Sequence, residues 1–307
     1  MHALKKIRWL GEAFFLLLGF VLIPILPRVL VLGLANLLGA LGYGLSGKLR
    51  RIAHANLDVA YGDDLSPERK SEIVRSSFKT FALVTLDLFW FSLFTGRRIR
   101  KYVDVDPSFQ QLYFDRPGPF VFIAAHLGNW EIMGQIATLS GDPISSVAKP
   151  LKNRFADVVV NRLRRSTGQV IQQSSGALRE LLRVLKAGGK VGLVMDQNTR
   201  VESGGLFVNF WGLPVPVSKA PAFLALQTKG NVSIGYCLPQ EKGRYRIYMD
   251  ALPSFEKVTV EEGTALILAE IEKVIRKYPG QWLWMYKRWK HVPEGDDGAR
   301  YPFYKRM

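Results

Sequence analysis

One cysteine, Cys237, in 307 residues leaves no partner for an internal disulfide and no thiolate set for a zinc site. That thiol economy fits a reducing compartment. Histidine is scarce too, and His2, His54, His126 and His291 lie too far apart to read as a metal cluster. No serine stands in a G-x-S-x-G elbow, so the usual covalent hydrolase nucleophile is missing. Acidic residues are under-supplied, 26 against 42 lysines and arginines, which leaves a formal net charge of +16. Such a surface attracts phosphate-rich or acidic partners, whether nucleic acid, anionic lipid headgroups or an acidic protein. Internal repeats and low-complexity linkers are also absent.

What the chain has in abundance is apolar sequence near its start. The run from Trp9 to Pro27 follows Lys5, Lys6 and Arg8; a second, Val29 to Leu45, precedes Lys48, Arg50 and Arg51. A spanning helix needs about 20 mostly apolar residues. Pro24 and Pro27 should bend or end the first run, and Arg28 argues against one straight span through both. The segment lacks the small-residue cleavage site of a signal peptide. A buried core helix is the plainer alternative, but residues 1–47 are expected to form an uncleaved membrane-anchoring segment with an N-terminal membrane helix, spanning or kinked and re-entrant. Basic residues on both flanks give no preferred orientation. The stretch Gly42–Gly47, "GYGLSG", matches G-x-G-x-x-G, and with Lys48 it imitates a phosphate loop. No strand precedes it, Leu49 replaces the magnesium-binding Ser or Thr, and glycines suited to close helix packing explain it better.

Residues 48–95 read as helical, with Ser66 as N-cap and Pro67 at the first helical position. From residue 119 strand-like runs appear at "PFVFIAA", "ISSVA", "QVIQQ", "KVGLVMD", "LFVNF", "NVSIGYCL" and "YRIYMD", with helical runs between several of them. That alternation predicts an α/β fold with a mixed, largely parallel sheet flanked by helices.

Sites in such sheets gather beyond the carboxyl ends of strands. His126 stands there in "HLGNWE", with Asn129 placed to cap the next helix and Glu131 in its first turn. Asp196 and Gln197 follow another strand, and the basic run "NRLRRSTG" (161–168) ends a helix. An acid in a first turn suits the helix dipole without any function, and a strand-end histidine can simply be core. Alternatively, Glu131 folds back on His126 and leaves the other ring nitrogen as a general base. With no nucleophile evident, such a base would activate a substrate hydroxyl for direct attack.

"RRIAHANLDVAYGDDLSPERK", "HLGNWE", "GGKVGLVMDQN", "LFVNFWGLPVPVSKAPAFLAL" and "YPGQWLWMYKRWK", in that order and spacing, resemble the bacterial late acyltransferases of lipid A biosynthesis. These lauroyl and myristoyl transferases lie within the wider glycerolipid acyltransferase group. The resemblance implies that residues 48–307 are the acyltransferase domain. The family's H-x4-D/E motif then falls on His126 and Glu131, its basic position on Arg164 beside Arg165, and its acidic position on Asp196. It implies a bacterial inner-membrane enzyme with its active site facing the cytoplasm. An acyl chain would pass from acyl carrier protein or coenzyme A thioester to a hydroxyl of a membrane glycolipid, with no metal or cofactor. In that reading His126 is the base, Glu131 orients it, and Arg164 or backbone N–H groups support the oxyanion or bind acceptor phosphate. Asp196, Asn129 and Gln197 assist binding.

"MDQN" departs from the commoner family continuation after the acid, which keeps mannolipid or lysophospholipid acceptors in play. The rivals are a thioester hydrolase and a non-catalytic basic protein that binds membrane or nucleic acid; the apolar start disfavours nucleic acid. The tail, with Trp282, Trp284, Tyr286 and Trp289 among Lys287, Arg288 and Lys290, suits a lipid-headgroup interface, base stacking or a core with a basic edge.

Overall fold

The run Phe120–Ala124 is buried along its entire length, which explains why it reads as continuously apolar rather than alternating. Val121 and Ile123 point into one core and Phe120, Phe122 and Ala124 into another, because successive strand residues face opposite sides of a sheet. This strand, β2, lies near the middle of the molecule. The structure, a computed structural model, describes residues 11, 16–148, 153–165, 169–173, 176–255 and 257–305. Most of the first apolar run's opening, Trp9–Leu10 and Glu12–Phe15, thus lies outside the described residues, as do Ser166–Gly168.

The main sheet has seven strands in the order β1-β9-β8-β2-β5-β3-β4. They are β1 (Val103–Val105), β2, β3 (Ile144–Ala148), β4 (Val170–Gln173), β5 (Lys190–Val194), β8 (Asn231–Pro239) and β9 (Tyr245–Ala251). All adjacent pairs are parallel except β8 with β9. The expected mixed, largely parallel α/β sheet is what forms. "LFVNF" is also a strand, but it pairs outside that sheet: β6 (Gly205–Phe210) and β7 (Leu213–Ser218) make a separate antiparallel hairpin.

Helices cover both faces. Among the described residues, the longer helices after the stretch Leu16–Ile25 are, in chain order, α1 (Arg28–Leu45), α2 (Gly47–Tyr61), α3 (Pro67–Trp90), α4 (Thr95–Tyr102), α5 (Trp130–Leu139), α6 (Arg154–Arg165), α7 (Ala177–Lys186), α8 (Ala220–Thr228) and α9 (Val260–Lys277). Their ends follow local chemistry. The Ser66 hydroxyl accepts the Arg69 N–H at 3.2 Å, and Thr259 and Glu262 form a reciprocal capping box at the start of α9.

The apolar N-terminus is broken where its prolines stand. A helical stretch Leu16–Ile25 ends there, and α1 begins at Arg28. With 18 residues, α1 is long and apolar enough to cross a membrane by length and composition, but it also packs along α3. Val31, Ala35 and Gly39 form its buried stripe. A Cβ on Gly39 would stand 2.7 Å from the Lys79 Cα, so the two backbones are in close contact there. The opposite face exposes Val29, Leu30, Leu37, Leu41 and Leu45. "GYGLSG" lies across the end of α1 and the start of α2, where Gly42 packs on Phe78. It is helix packing, not a phosphate loop.

Candidate active site

β2 and β5 are parallel neighbours, with Ala124 in register with Val194. Two residues beyond that pair stand His126 and Asp196, so the sheet register brings them face to face. His126 Nδ1 lies 2.7 Å from Asp196 Oδ1, and the His126 backbone N–H donates to Asp196 Oδ2 at 2.9 Å. The Trp282 indole N–H donates to the same Oδ2 at 2.7 Å. An ionised carboxylate only accepts, so the proton of the neutral ring must sit on Nδ1 and the lone pair on Nε2. Gln197 Nε2 lies 3.3 Å from His126 Nε2, within reach of that lone pair. The His126 side chain remains 19% exposed against 3% for Asp196, so the ring has an open edge and its partner does not.

Glu131 does not orient His126. Helix α5 starts after Asn129 and turns Glu131 towards the last turn of α6, where Arg164 grips it through two hydrogen bonds of 2.9 and 2.6 Å. Trp130 donates to Glu131 at 3.2 Å, and its ring meets the His126 ring edge-on at 4.8 Å. The site therefore holds two carboxylates with different partners, and the expectation that Glu131 backs the histidine is corrected by the strand register. Arg165 is exposed, whereas Arg164 carries the pair.

Asn129 is fully engaged as a cap. Its side-chain oxygen accepts the Ile132 N–H at 3.3 Å, and its backbone N–H donates to the Cys237 carbonyl at 2.7 Å. The turn ahead of it depends on Gly128, whose φ is +59° and where a Cβ would fall 2.1 Å from the Cys237 oxygen. Backbone N–H groups along this loop are already committed: His126 to Asp196, Leu127 to Ala125, Gly128 to Gln281 and Asn129 to Cys237.

Burial lowers the proton affinity of His126, but the charge and hydrogen bond of Asp196 more than offset it, with a further contribution from Glu131 against an opposing one from Arg164. The net result is a ring more basic than usual. Burial raises the Asp196 carboxyl, yet His126 and the donors around it prevail and hold it below the ordinary carboxylate range.

The aromatic tail is not a surface for headgroups or bases. Trp282, Trp284 and Trp289 are fully buried, and the segment bonds to the loops that carry His126 and Asn198. Leu283 N–H donates to the His126 carbonyl at 3.1 Å, and Gln281 accepts from Gly128. Tyr286 accepts the Asn198 N–H at 3.0 Å, while Arg288, buried and pushed down to about 10 by that burial, donates to the Asn198 side chain. Composition alone matches a headgroup interface and a core equally well; burial decides for core. Motif and spacing also pass over Asp87 and Tyr245, which meet Asn129 from behind. The only signal for them in the chain is a lone acid inside the apolar run "LVTLDLFW" and a lone arginine, Arg28, inside another. Among the described residues, no group of three or more His, Cys, Asp or Glu side chains is placed to hold a metal ion.

Comparison with known proteins points the same way as the layout. A palmitoleoyltransferase of lipid A biosynthesis from Escherichia coli K12 is 24% identical over 280 residues, 88% of either chain. A lipid A biosynthesis acyltransferase from Shigella flexneri matches to the same extent. A lauroyltransferase of lipid A biosynthesis from E. coli K12 is 22% identical over 304 residues, 96% of this chain and 95% of its own. The model of the bacterial lipid A biosynthesis acyltransferases matches residues 1–291, and this chain, an acyltransferase, belongs to that family.

Proposed function

We propose that this enzyme transfers a fatty acyl chain from an acyl carrier protein thioester to a hydroxyl of a lipid A precursor at the bacterial inner membrane, with His126 as general base. The observation that carries the proposal is the His126–Asp196 couple at the carboxyl edge of the sheet, in which Nδ1 faces the carboxylate, Nε2 is left for the substrate, and the ring is partly exposed. His126 Nε2 takes the proton of the acceptor hydroxyl as the oxygen attacks the thioester carbonyl. The tetrahedral intermediate then collapses, the C–S bond breaks, and the imidazolium returns its proton to the leaving thiolate. Asp196 fixes the tautomer and stabilises the imidazolium. Gln197 occupies Nε2 until the acceptor replaces it.

Arg164 is the favoured electrostatic support for the oxyanion or for an acceptor phosphate, because the N–H groups of residues 126–129 are already taken by protein acceptors. Glu131 holds that guanidinium in place. The exposed apolar face of α1 seats the protein in the bilayer, and residues 1–47 form the anchoring segment ahead of the acyltransferase domain. The site faces the cytoplasm, where an acidic carrier protein would be drawn to a chain of net charge +16.

The test is one acyl-carrier-protein thioester incubated with and without lipid acceptor. Acceptor-dependent loss of thioester matched by ester formation is the expected result; equal loss without acceptor would make the protein a hydrolase. The same acyl chain presented on coenzyme A decides the carrier, and equal or better kcat/KM for that form would overturn the carrier-protein assignment alone.

A further inference from the structure

Behind the catalytic loop lies a second charged cluster, and it belongs to the N-terminal helix. Arg28, the first residue of α1, sends its guanidinium into the protein rather than outward. Its Nη2 donates to Asp87 Oδ2 at 3.1 Å, its Nη1 to Oδ1, and its Nε to the Gly243 carbonyl at 3.0 Å. The guanidinium also lies 4.7 Å from the Trp90 ring centre. Asp87, near the end of α3, then accepts from the Tyr245 hydroxyl at 2.6 Å and from the Asn129 amide nitrogen at 3.4 Å. Arg28, Asp87, Tyr245 and Asn129 are all buried.

A buried ion pair is a poor means of holding helices together, since apolar residues of similar volume often do so equally well or better. What the charge supplies here is direction. Because the Asp87 carboxylate can only accept, it requires the Asn129 NH2 group, and the amide oxygen must then point the other way, onto the Ile132 N–H. That bond caps the helix on whose first turn Glu131 sits.

We propose that Asp87, held by Arg28 and Tyr245, is a positioning residue for acyl transfer: it sets the amide orientation of Asn129, so that the catalytic loop is completed by the N-terminal apolar helix. The inference rests on the reading of His126 and Glu131 as the site of transfer. It gives α1 a task beyond attachment, because the residue that opens this helix is two hydrogen bonds from the loop bearing the base.

Aspartate is ordinarily as good an N-cap as asparagine. At position 129 it would instead set a buried carboxylate against that of Asp87. In the full-length, detergent-solubilised enzyme, Asn129→Asp is expected to lower kcat by about 10²-fold, the size of loss that misplaced catalytic geometry produces, with donor KM little changed. Adding Asp87→Asn exchanges the amide and the carboxylate between the two positions, keeps the cluster's charge, and should recover most of the lost kcat. Arg28→Gln should lower kcat in detergent, where attachment to a bilayer is irrelevant. Amide hydrogen exchange over residues 130–133 follows the cap independently of activity, with protection lost in Asn129→Asp and regained in the exchanged pair. Wild-type kcat in Asn129→Asp, or a pair no better than the single variant in both kcat and exchange, would overturn the proposal. If His126→Ala proved active, the site reading would fail while the exchange measurement still decided the orientation of Asn129.

Discussion

Two carboxylates flank the loop that carries His126, and they are held by different kinds of structure. Asp196 is placed by the sheet. It follows a strand in register with the one that delivers His126, and three donors fix both its oxygens. Glu131 is placed by helix ends, the first turn of α5 against the last turn of α6, and its partner is a guanidinium whose side chain is 23% exposed. Strand register positions the first pair; the second depends on how two helix ends meet. Under the proposed mechanism, the first arrangement suits tuning a base whose geometry must not change, and the second suits gripping a charged substrate group that arrives and leaves.

The largest expected effect breaks the sheet-held pair. Asp196→Asn keeps the shape but lets the amide donate to Nδ1, which forces the proton onto Nε2 and removes the base. A wrong tautomer of this kind costs about 10⁴-fold in kcat for a serine-protease triad. His126→Ala should fall by about 10²–10⁴-fold, the ordinary contribution of a positioned base. Steady-state transfer assays on both variants, with circular dichroism confirming the fold, check this. If Asp196→Asn retained near-normal turnover, the assignment of Asp196 to the histidine would fail.

A smaller loss is expected on the helix-held side. Glu131→Gln releases Arg164 without touching the tautomer of His126, and should cost about 10²–10³-fold, in the range seen when an oxyanion donor is lost. The sharper contrast is in pH dependence. The base must be neutral, so kcat should rise with pH through a pKa above the usual histidine value of about 6.5, because Asp196 holds the ring basic. The charge of Glu131 also raises that basicity and that of Arg164 lowers it. The acid limb should therefore move to lower pH in Glu131→Gln and to higher pH in Arg164→Gln. Shifts of the opposite signs would show that Glu131 and Arg164 do not act on the ring as placed.

Much of the sheet is legible in the sequence itself. Fully buried parallel strands announce themselves as apolar runs, and each of the seven strand-like runs contains a strand. Two strands escape that reading. β1 is only three residues of "VDV", and β7 carries Pro214 and Pro216, which argue against a strand unless it lies at a sheet edge, as it does in the hairpin. His126, Glu131, Arg164 and Asp196 all stand out by type and position, but their pairing does not. Sequence proximity favours Glu131 for His126, five positions on in the chain. Asp196 reaches His126 only because β5 lies beside β2, and strand order is not written locally. The tail misleads for a related reason, since tryptophan beside lysine and arginine describes an interface and a core in the same letters.

The smallest expected effect probes how the sheet-held carboxylate is finished. Trp282 donates to Asp196 Oδ2, and its ring packs edge-on against Trp284 with centroids 4.6 Å apart. Trp282→Phe keeps an aromatic body there but removes the N–H, leaving Oδ2 with only the His126 backbone donor. Hydrogen bonds to charged groups contribute about 1.5–3 kcal/mol, but the remaining donor can tighten, so a kcat loss of about tenfold is expected, near 1.4 kcal/mol. Because Trp282 helps hold the Asp196 proton affinity down, its loss moves that carboxyl towards its ordinary range, and His126 keeps it ionised at neutral pH. The acid limb of kcat should therefore remain that of the histidine. A fall in thermal stability with unchanged kcat would make the tail a structural support only. A loss as deep as that of Asp196→Asn would mean that the tail, rather than the sheet, is what holds Asp196 against His126.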